Sequence, residues 1–218
     1  MVSASVAELP RPARPDVVGH YGASGSEVAL AEVITSTCWM VQGDAARAPF
    51  AMQCVRLFDL DLPRGPNTTA YGASWTALWL GPRSWLLIAD PQVDPLPPGT
   101  FLAARDTLIE HGGALFDTSA SRVAFAVSGA RAATVLAKNC PIDLHASVFS
   151  AGSCAQTVLG HVNVLLYKPD TTTTIIVMVA RSFARDVWRA LCTSSAQYGF
   201  DVVQPVRFGD EAAHRAPG

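Results

Sequence analysis

Apolar residues recur with a period near two in some stretches of the chain and near four in others, which predicts alternating strands and helices. ALAEVITSTCWMVQG, residues 29–43, is β-branched and partly alternating and predicts a strand. DAARAPFAMQCVRLF opens on Asp44 as a candidate N-cap and predicts a helix or helical turn. Turn-forming residues predict a loop over 61–72, and WTALWLG and SWLLIAD are two short apolar strands joined by a turn.

A proline-rich linker over residues 91–100 leads into a predicted helix over residues 101–112, FLAARDTLIEHG. The apolar positions of this helix are spaced to share one buried face, and Gly112 is typical of a C-terminal stop. The predicted face consists of Phe101, Leu102, Leu108 and Ile109.

The second half repeats a scheme of strand then helix. In SRVAFAVSGARAATVLAKN an alternating strand is followed by a helix that begins near Gly129. In TTTTIIVMVARSFARDVWRALCTSSAQYG the strand runs to Val179, Ser182 is the predicted N-cap and Gly199 follows the helix end. The predicted inward positions are Val123, Phe125, Val127, Ala132, Val135 and Leu136 in the first unit and Phe183, Val187 and Leu191 in the second.

Between these units, residues 156–166 predict one long strand near the middle of the sheet. Together the elements indicate a single α+β domain over residues 27–208 rather than a doubly wound parallel sheet. Residues 1–26 and 209–218 are rich in small residues and proline, which predicts a flexible arm and a flexible tail. Removing residues 1–26 is expected to leave the domain folded but to weaken its assembly with a partner.

The composition of the chain indicates that a partner protein covers part of its surface. Half of the residues are hydrophobic, only 16% are charged and the net charge is −2, so the polar surface is thin for a soluble monomer. This balance gives no basic footprint for nucleic acid, and the apolar runs are too short to span a membrane. Five widely spaced cysteines in apolar surroundings indicate reduced core thiols, so a cytoplasmic protein is expected.

The densest cluster of reactive residue types is CPIDLH, residues 140–145. Cys140 follows a predicted helix end, where the dipole disfavours a thiolate, so a structural role is predicted over a nucleophile paired with His145. The glycines of GASGS, residues 22–26, indicate a linker rather than a phosphate loop, because no Gly-Lys-Ser/Thr follows. No residue of the chain is therefore predicted to be catalytic, to bind a cofactor or to ligate a metal.

Aromatic and basic residues provide the remaining candidates. The tryptophans at 75, 79 and 85 suggest either a stacking platform for a ring or core packing, and the arginines at strand ends suggest ion pairs. The predicted partner interface consists of Trp75, Trp79, Arg83, Trp85, Arg122 and Arg181.

Four phrases in order resemble a known family: LWLGPRSWLLIADP, LFDTSASRVAFAVSGARAATVLAKNCPIDLH, SVFSAGSCAQTVLGHVNVLLYK and ARSFARDVWRALCTSSAQYG. Together they resemble the gamma subunit of heterotetrameric sarcosine oxidase. The likeness runs from about Val28 to Gly199; Arg83, Ser84 and Ala120 depart from the family pattern.

The resemblance implies a fold like the folate-binding barrel domain of the glycine-cleavage T-protein and related aminomethyltransferases. It implies a non-catalytic subunit, in contact with alpha and assembled with beta and delta. The complex would convert sarcosine to glycine, hydrogen peroxide and methylenetetrahydrofolate, and would carry FAD, FMN, NAD and zinc outside this chain.

Three alternatives stay open at this point: a subunit of a related four-subunit oxidase for another N-methyl amino acid, a free-standing folate-binding aminomethyltransferase-like protein, and a folate-sensing module. The carboxylates of Asp59, Asp61 and Asp117 are the candidates to face a folate in such a protein.

Overall fold

The structure, a computed structural model, describes residues 18–91 and 96–210. These residues form two β-sheets that pack face to face, with two helices on the outer face of each sheet. The strands are β1 Gly19–Tyr21, β2 Val28–Ile34, β3 Cys38–Gln42, β4 Thr69–Tyr71, β5 Trp75–Gly81, β6 Ser84–Ala89, β7 Ala114–Asp117, β8 Arg122–Ser128, β9 Cys154–Leu159, β10 Val162–Tyr167, β11 Ile175–Ala180, β12 Phe200–Val202 and β13 Val206–Arg207. The helices are α1 Ala48–Phe58, α2 Thr100–Glu110, α3 Ala132–Ala137 and α4 Ala184–Ser195.

The large sheet has the order β1-β12-β2-β8-β11-β10-β9, with β13 also paired to β2. Its pairs are antiparallel except that β12 and β13 run parallel to β2. The small sheet has the order β4-β5-β6-β3-β7 and is antiparallel throughout. This topology confirms the α+β fold class. The two sheets pack against each other as in a barrel-like domain, but neither sheet closes on itself.

Three apolar layers hold the sheets and helices together. One lies between the large sheet and helices α3 and α4, one between the small sheet and helices α1 and α2, and one between the two sheets. Strand β8 contributes side chains to two of these layers. Phe125 and Val127 face the helices, while Ala124 and Ala126 face the small sheet. Side chains alternate across a strand, so the predicted alternation is confirmed, and the intervening alanines let the sheets approach closely.

The helices confirm part of the predicted faces. On α3 the buried residues are the predicted Ala132, Val135 and Leu136. On α2 Leu108 is buried as predicted, but Leu102 and Ile109 are 51% and 57% exposed. The buried stripe of α2 instead pairs Leu108 with Ala104, one turn earlier, so the prediction of a wide apolar face was wrong.

The starts of two helices also differ from the predictions. Before α4 the chain forms a 3₁₀ turn over Arg181–Phe183, so Ser182 is not the N-cap and Phe183 stays exposed. Val187 and Leu191 are buried as predicted. Asp44 accepts a hydrogen bond from the backbone of Ala46 at 3.0 Å, and α1 begins only at Ala48.

Two predicted strand boundaries were wrong. Residues 29–43 form β2 and β3, which belong to different sheets, because the chain crosses between the sheets at residues 35–37. Residues 156–166 form a hairpin of β9 and β10 around Gly160, and β9 is at the edge of the large sheet instead of its middle. The predicted loop over 61–72 includes the short strand β4.

The predicted flexible arm is too long, because β1 pairs with β12 at the edge of the large sheet. The glycine turn that follows is packed, and the backbone N–H of Ala23 donates to the carbonyl of Ala196 at 2.9 Å. Removing residues 1–26 would therefore delete a strand. The rest of the predicted arm, residues 1–17, and the tail residues 211–218 lie outside the described residues.

His20 on β1 forms a hydrogen bond to Asp201 on β12. The stability that this contact gives to the edge of the sheet depends on pH. The Nδ1 of His20 lies 2.8 Å from Oδ1 of Asp201, and this hydrogen bond raises the pKa of His20. A raised folded pKa gives stability that is fully present below the unfolded pKa, about 6.5, and is lost as pH rises through the folded value. We expect NMR titration to place the His20 pKa above 6.5, and Asp201→Asn to return it toward that value. A His20 pKa unaffected by Asp201→Asn would contradict this contact.

Candidate functional site

The CPIDLH cluster is architectural in the structure. Cys140 is buried, and its Sγ lies 3.8 Å from the hydroxyl of Thr157. His145 is exposed and bonds Ser147 instead, with 2.7 Å between Nδ1 and Oγ, while Asp143 accepts the backbone N–H of His145 at 2.8 Å. Thiol and imidazole thus each have another partner, Thr157 for Cys140 and Ser147 for His145.

All five cysteines are free and buried, which confirms the prediction of core thiols. Burial raises the pKa of the Cys54 and Cys192 thiols to about 12. At neutral pH these two thiols are protonated and unreactive.

Two of the three clustered tryptophans, Trp75 and Trp85, pack in the core. Trp75 lies 4.8 Å from Trp39, centroid to centroid, and Trp85 donates from Nε1 to the carbonyl of Pro63 at 2.8 Å. Both side chains are buried, so they pack beneath the surface rather than offering an open stacking platform. Trp79 is half-buried, and its Nε1 has no hydrogen-bond partner among the described residues.

The candidate carboxylates belong to turns. Asp59 ends α1 with a left-handed backbone, φ 52°, and its N–H donates to the carbonyl of Val55. Asp117 accepts hydrogen bonds from the backbone and the hydroxyl of Ser119, at 2.9 and 2.6 Å. Asp59, Asp61 and Asp117 are all exposed, and these contacts give Asp59 and Asp117 structural roles.

Two of the predicted interface arginines are brought together. Arg122 begins β8, and its backbone pairs with Ala180 at the end of the neighbouring β11. Arg181 follows directly, donates from Nε to the carbonyl of Ala120 at 2.7 Å and stays exposed. Arg83 is exposed in the turn between β5 and β6.

A groove opens beside Arg122 on the large sheet. It has a volume of about 690 Å³ and is lined by Ser121, Arg122, Gln156, Val158, Asn163 and Ala180, among others. Gln156 closes one side, donating from Nε2 to the carbonyl of Leu80 on β5 at 2.5 Å. Sequence reasoning named Arg122 but missed the groove, because its wall comes from the β9–β10 hairpin, which the sequence pattern presents as one central strand.

Among the described residues no group of three or more His, Cys, Asp or Glu side chains is arranged to hold a metal ion. A search of the same residues for a membrane-spanning helix finds none with the required length and hydrophobicity.

Residues 42–197 match the family model described as sarcosine oxidase, gamma subunit family. Sarcosine oxidase subunit gamma from Corynebacterium sp. (strain P-1) is 33% identical over 150 residues, which cover 67% of this chain and 70% of that protein. The same figures hold for sarcosine oxidase subunit gamma from an Arthrobacter species.

Two solved structures are similar in fold. A chain of the heterotetrameric sarcosine oxidase from Corynebacterium sp. U-96, in complex with pyrrole 2-carboxylate, aligns with a TM-score of 0.71 at 24% identity and covers 82% of this chain and 88% of that one. The glycine cleavage system aminomethyltransferase T from Bartonella henselae aligns with a TM-score of 0.56 at 14% identity, over 79% of this chain and 47% of that one. These alignments support the predicted resemblance of fold.

Proposed function

Because this chain belongs to the sarcosine oxidase gamma subunit family, we propose that it is a non-catalytic subunit that stabilises a four-subunit sarcosine oxidase. The observation that carries the proposal is the family match over residues 42–197, which includes all four described α-helices and the strands from β4 to β11. The architectural use of Cys140, His145 and Asp117 supports a non-catalytic role, since these groups are engaged in turns and core packing.

The proposed complex demethylates sarcosine oxidatively to glycine and hydrogen peroxide and passes the one-carbon unit to tetrahydrofolate. FAD, FMN, NAD and zinc would be held by its other subunits. The glycine turn at residues 22–26 does not fit a phosphate loop, because it packs on the chain beyond α4 and a Cβ on Gly22 would meet the carbonyl of Ala196 at 2.4 Å. The turn glycines are thus used for close backbone packing rather than for a phosphate.

The proposed contact surface for the alpha subunit combines the exposed members of the predicted interface. Arg83 and Arg181 are exposed and Arg122 and Trp79 are half-buried, whereas Trp75 and Trp85 are buried in the core. The complex would be cytoplasmic, in keeping with five free thiols.

Two alternatives remain as proposals. A related four-subunit oxidase for another N-methyl amino acid would need a similar subunit, and only the purified complex can identify the amine. A free-standing folate-binding protein is favoured by the fold shared with an aminomethyltransferase, although this chain matches only 47% of that protein. Titrating the isolated chain with tetrahydrofolate tests this alternative, and saturable binding would support it.

Co-expression tests the assembly role directly. The alpha, beta and delta subunits of the host's oxidase are expressed with and without this chain, and soluble complex is quantified by gel filtration. We expect much less complex when this chain is omitted, and no sarcosine-dependent peroxide from this chain alone. An equal yield of a fully active three-subunit enzyme would contradict the proposal.

A further inference from the structure

The groove beside Arg122 is a strip of the large sheet that the small sheet leaves uncovered. A row of side chains crosses four strands here: Val158 of β9 pairs with Asn163 of β10, and Ala180 of β11 pairs with Arg122 of β8. The register of β10 and β11 continues the row from Asn163 to Ala180. With strands about 4.8 Å apart, the row is roughly 14 Å long.

The adjacent row shows which face this is. Leu165, Met178 and Ala124 lie two residues along their strands from Asn163, Ala180 and Arg122, so they point to the same face. They belong to the apolar layer between the two sheets. The groove is therefore the continuation of an inter-sheet contact face, with an apolar end at Val158 and a cationic end at Arg122.

Arg122 lacks a carboxylate partner within the described part of the chain. Ion pairs are found there for Arg131 with Glu27 and Arg105 with Asp106, but none for Arg122. Among the described residues that line the groove, Arg122 alone is charged. It is half-buried, and this burial lowers the pKa of its guanidinium, although the group stays protonated at neutral pH.

The planar guanidinium of an arginine presents a fork of donors that matches a carboxylate in a bidentate geometry, and no carboxylate of the described residues forms an ion pair with Arg122. We propose that the groove binds an extended segment of another subunit of the complex, with an Asp or Glu carboxylate of that segment on Arg122. About four extended residues would fill the row, with an apolar side chain over Val158 and a backbone group on the amide of Asn163. This inference rests on the proposed function, and it specifies the chemistry of one contact.

Photo-crosslinking tests the occupant. A photoreactive phenylalanine analogue replaces Asn163 in the tagged full chain, and the complex is purified from the host and irradiated. The matched control replaces Thr134, which is exposed on α3 at the opposite face of the large sheet. We expect position 163 to crosslink a segment of another subunit that has an Asp or Glu within about two residues, and position 134 not to crosslink that segment.

Charge substitutions test the recognition itself. Arg122→Met keeps an unbranched apolar stem and removes the charged guanidinium, and Arg122→Lys keeps the charge but loses the bidentate fork. We expect Arg122→Met to weaken association with the partner subunit by about 30-fold or more, as for other buried charge pairs, and Arg122→Lys to recover part of the loss. Arg189→Met, on the exposed side of α4, should change it by less than about fivefold. Thermal unfolding of each free chain checks that the fold is retained.

The results separate the two proposals. An intact complex in which position 163 crosslinks nothing, crosslinks residues 1–17 or 211–218 of this chain, or crosslinks a segment without an acidic residue overturns the groove assignment alone. The assignment also fails if Arg122→Met folds normally and assembles as well as the wild type. A wild-type chain that purifies alone overturns the proposed function and the groove assignment together.

Discussion

Replacing Trp85 by alanine is expected to lower the free energy of unfolding by about 3–5 kcal/mol, the range observed when large aromatic core residues are truncated. Trp85 is 1% exposed and lies in the apolar layer between the small sheet and its helices. Its indole N–H also donates to the carbonyl of Pro63. Truncation therefore leaves a cavity and an unsatisfied buried carbonyl at once.

Denaturant unfolding of the free chain measures this loss. Trp85→Phe keeps most of the volume but not the donor, so we expect a smaller loss of about 1–3 kcal/mol. Arg83→Ala, two residues away and exposed, should stay within about 0.5 kcal/mol of the wild type. If Trp85→Ala left stability unchanged and only weakened the complex, Trp85 would be an interface residue rather than a core residue.

The second large effect is expected at Gly199, where the chain leaves α4 and enters β12. Its φ is +67°, and a Cβ there would lie 1.8 Å from the carbonyl oxygen of Gly25 and 2.4 Å from that of Ala23. Both neighbours are backbone atoms of the turn that follows β1, so they cannot rotate away. Gly199→Ala should push this turn, and β1 with it, off the edge of the large sheet.

Gly160 is the matched control because it has nearly the same φ, +64°, but a Cβ there would meet nothing within 4 Å beyond its chain neighbours. Gly160→Ala should lose only the backbone strain, about 1–2 kcal/mol. Gly199→Ala should lose that and a further 1–3 kcal/mol or so from overpacking. The difference between the two unfolding free energies contains the overpacking and the additional backbone strain of Gly199, whose ψ of 139° lies outside the left-handed helical region. Equal losses would show that the turn at residues 22–26 does not pack against Gly199.

Local patterns predicted most of the individual elements but not their places in the fold. The apolar spacing of α3 was sufficient because the whole inward face of this short helix is buried. The spacing of α2 was not, because Leu102 and Ile109 satisfy the same period and yet lie outside the contact with the small sheet. Hydrophobic period indicates which residues can share a face, whereas the area actually covered depends on how far the opposing sheet extends.

The pattern of apolar residues also did not predict that residues 29–43 are divided between two sheets. Strands β2 and β3 are both apolar and are separated by three polar residues, Thr35 to Thr37. Each strand then pairs with partners distant in sequence, β8 for β2 and β6 for β3. Such pairings are decided by tertiary packing, which a single strand does not encode.

Of the groove, the sequence indicated Arg122 but not the other lining residues or their arrangement. Arg122 and Arg181 each stand at a recognisable strand end, and only the antiparallel register of β8 and β11 makes them neighbours. One signal was available: Arg122 has the same parity on its strand as Ala124 and Ala126, which face the small sheet. A charged residue on a face of that kind indicates that the covering layer ends there.

Native mass spectrometry of the gently purified, tagged chain from its own host shows at once whether this chain is an oxidase subunit. We expect one assembly that contains this chain and three unlike subunits, with flavin absorbance that copurifies with it. A colourless monomer that binds tetrahydrofolate would contradict the subunit role and would place a folate site within this chain.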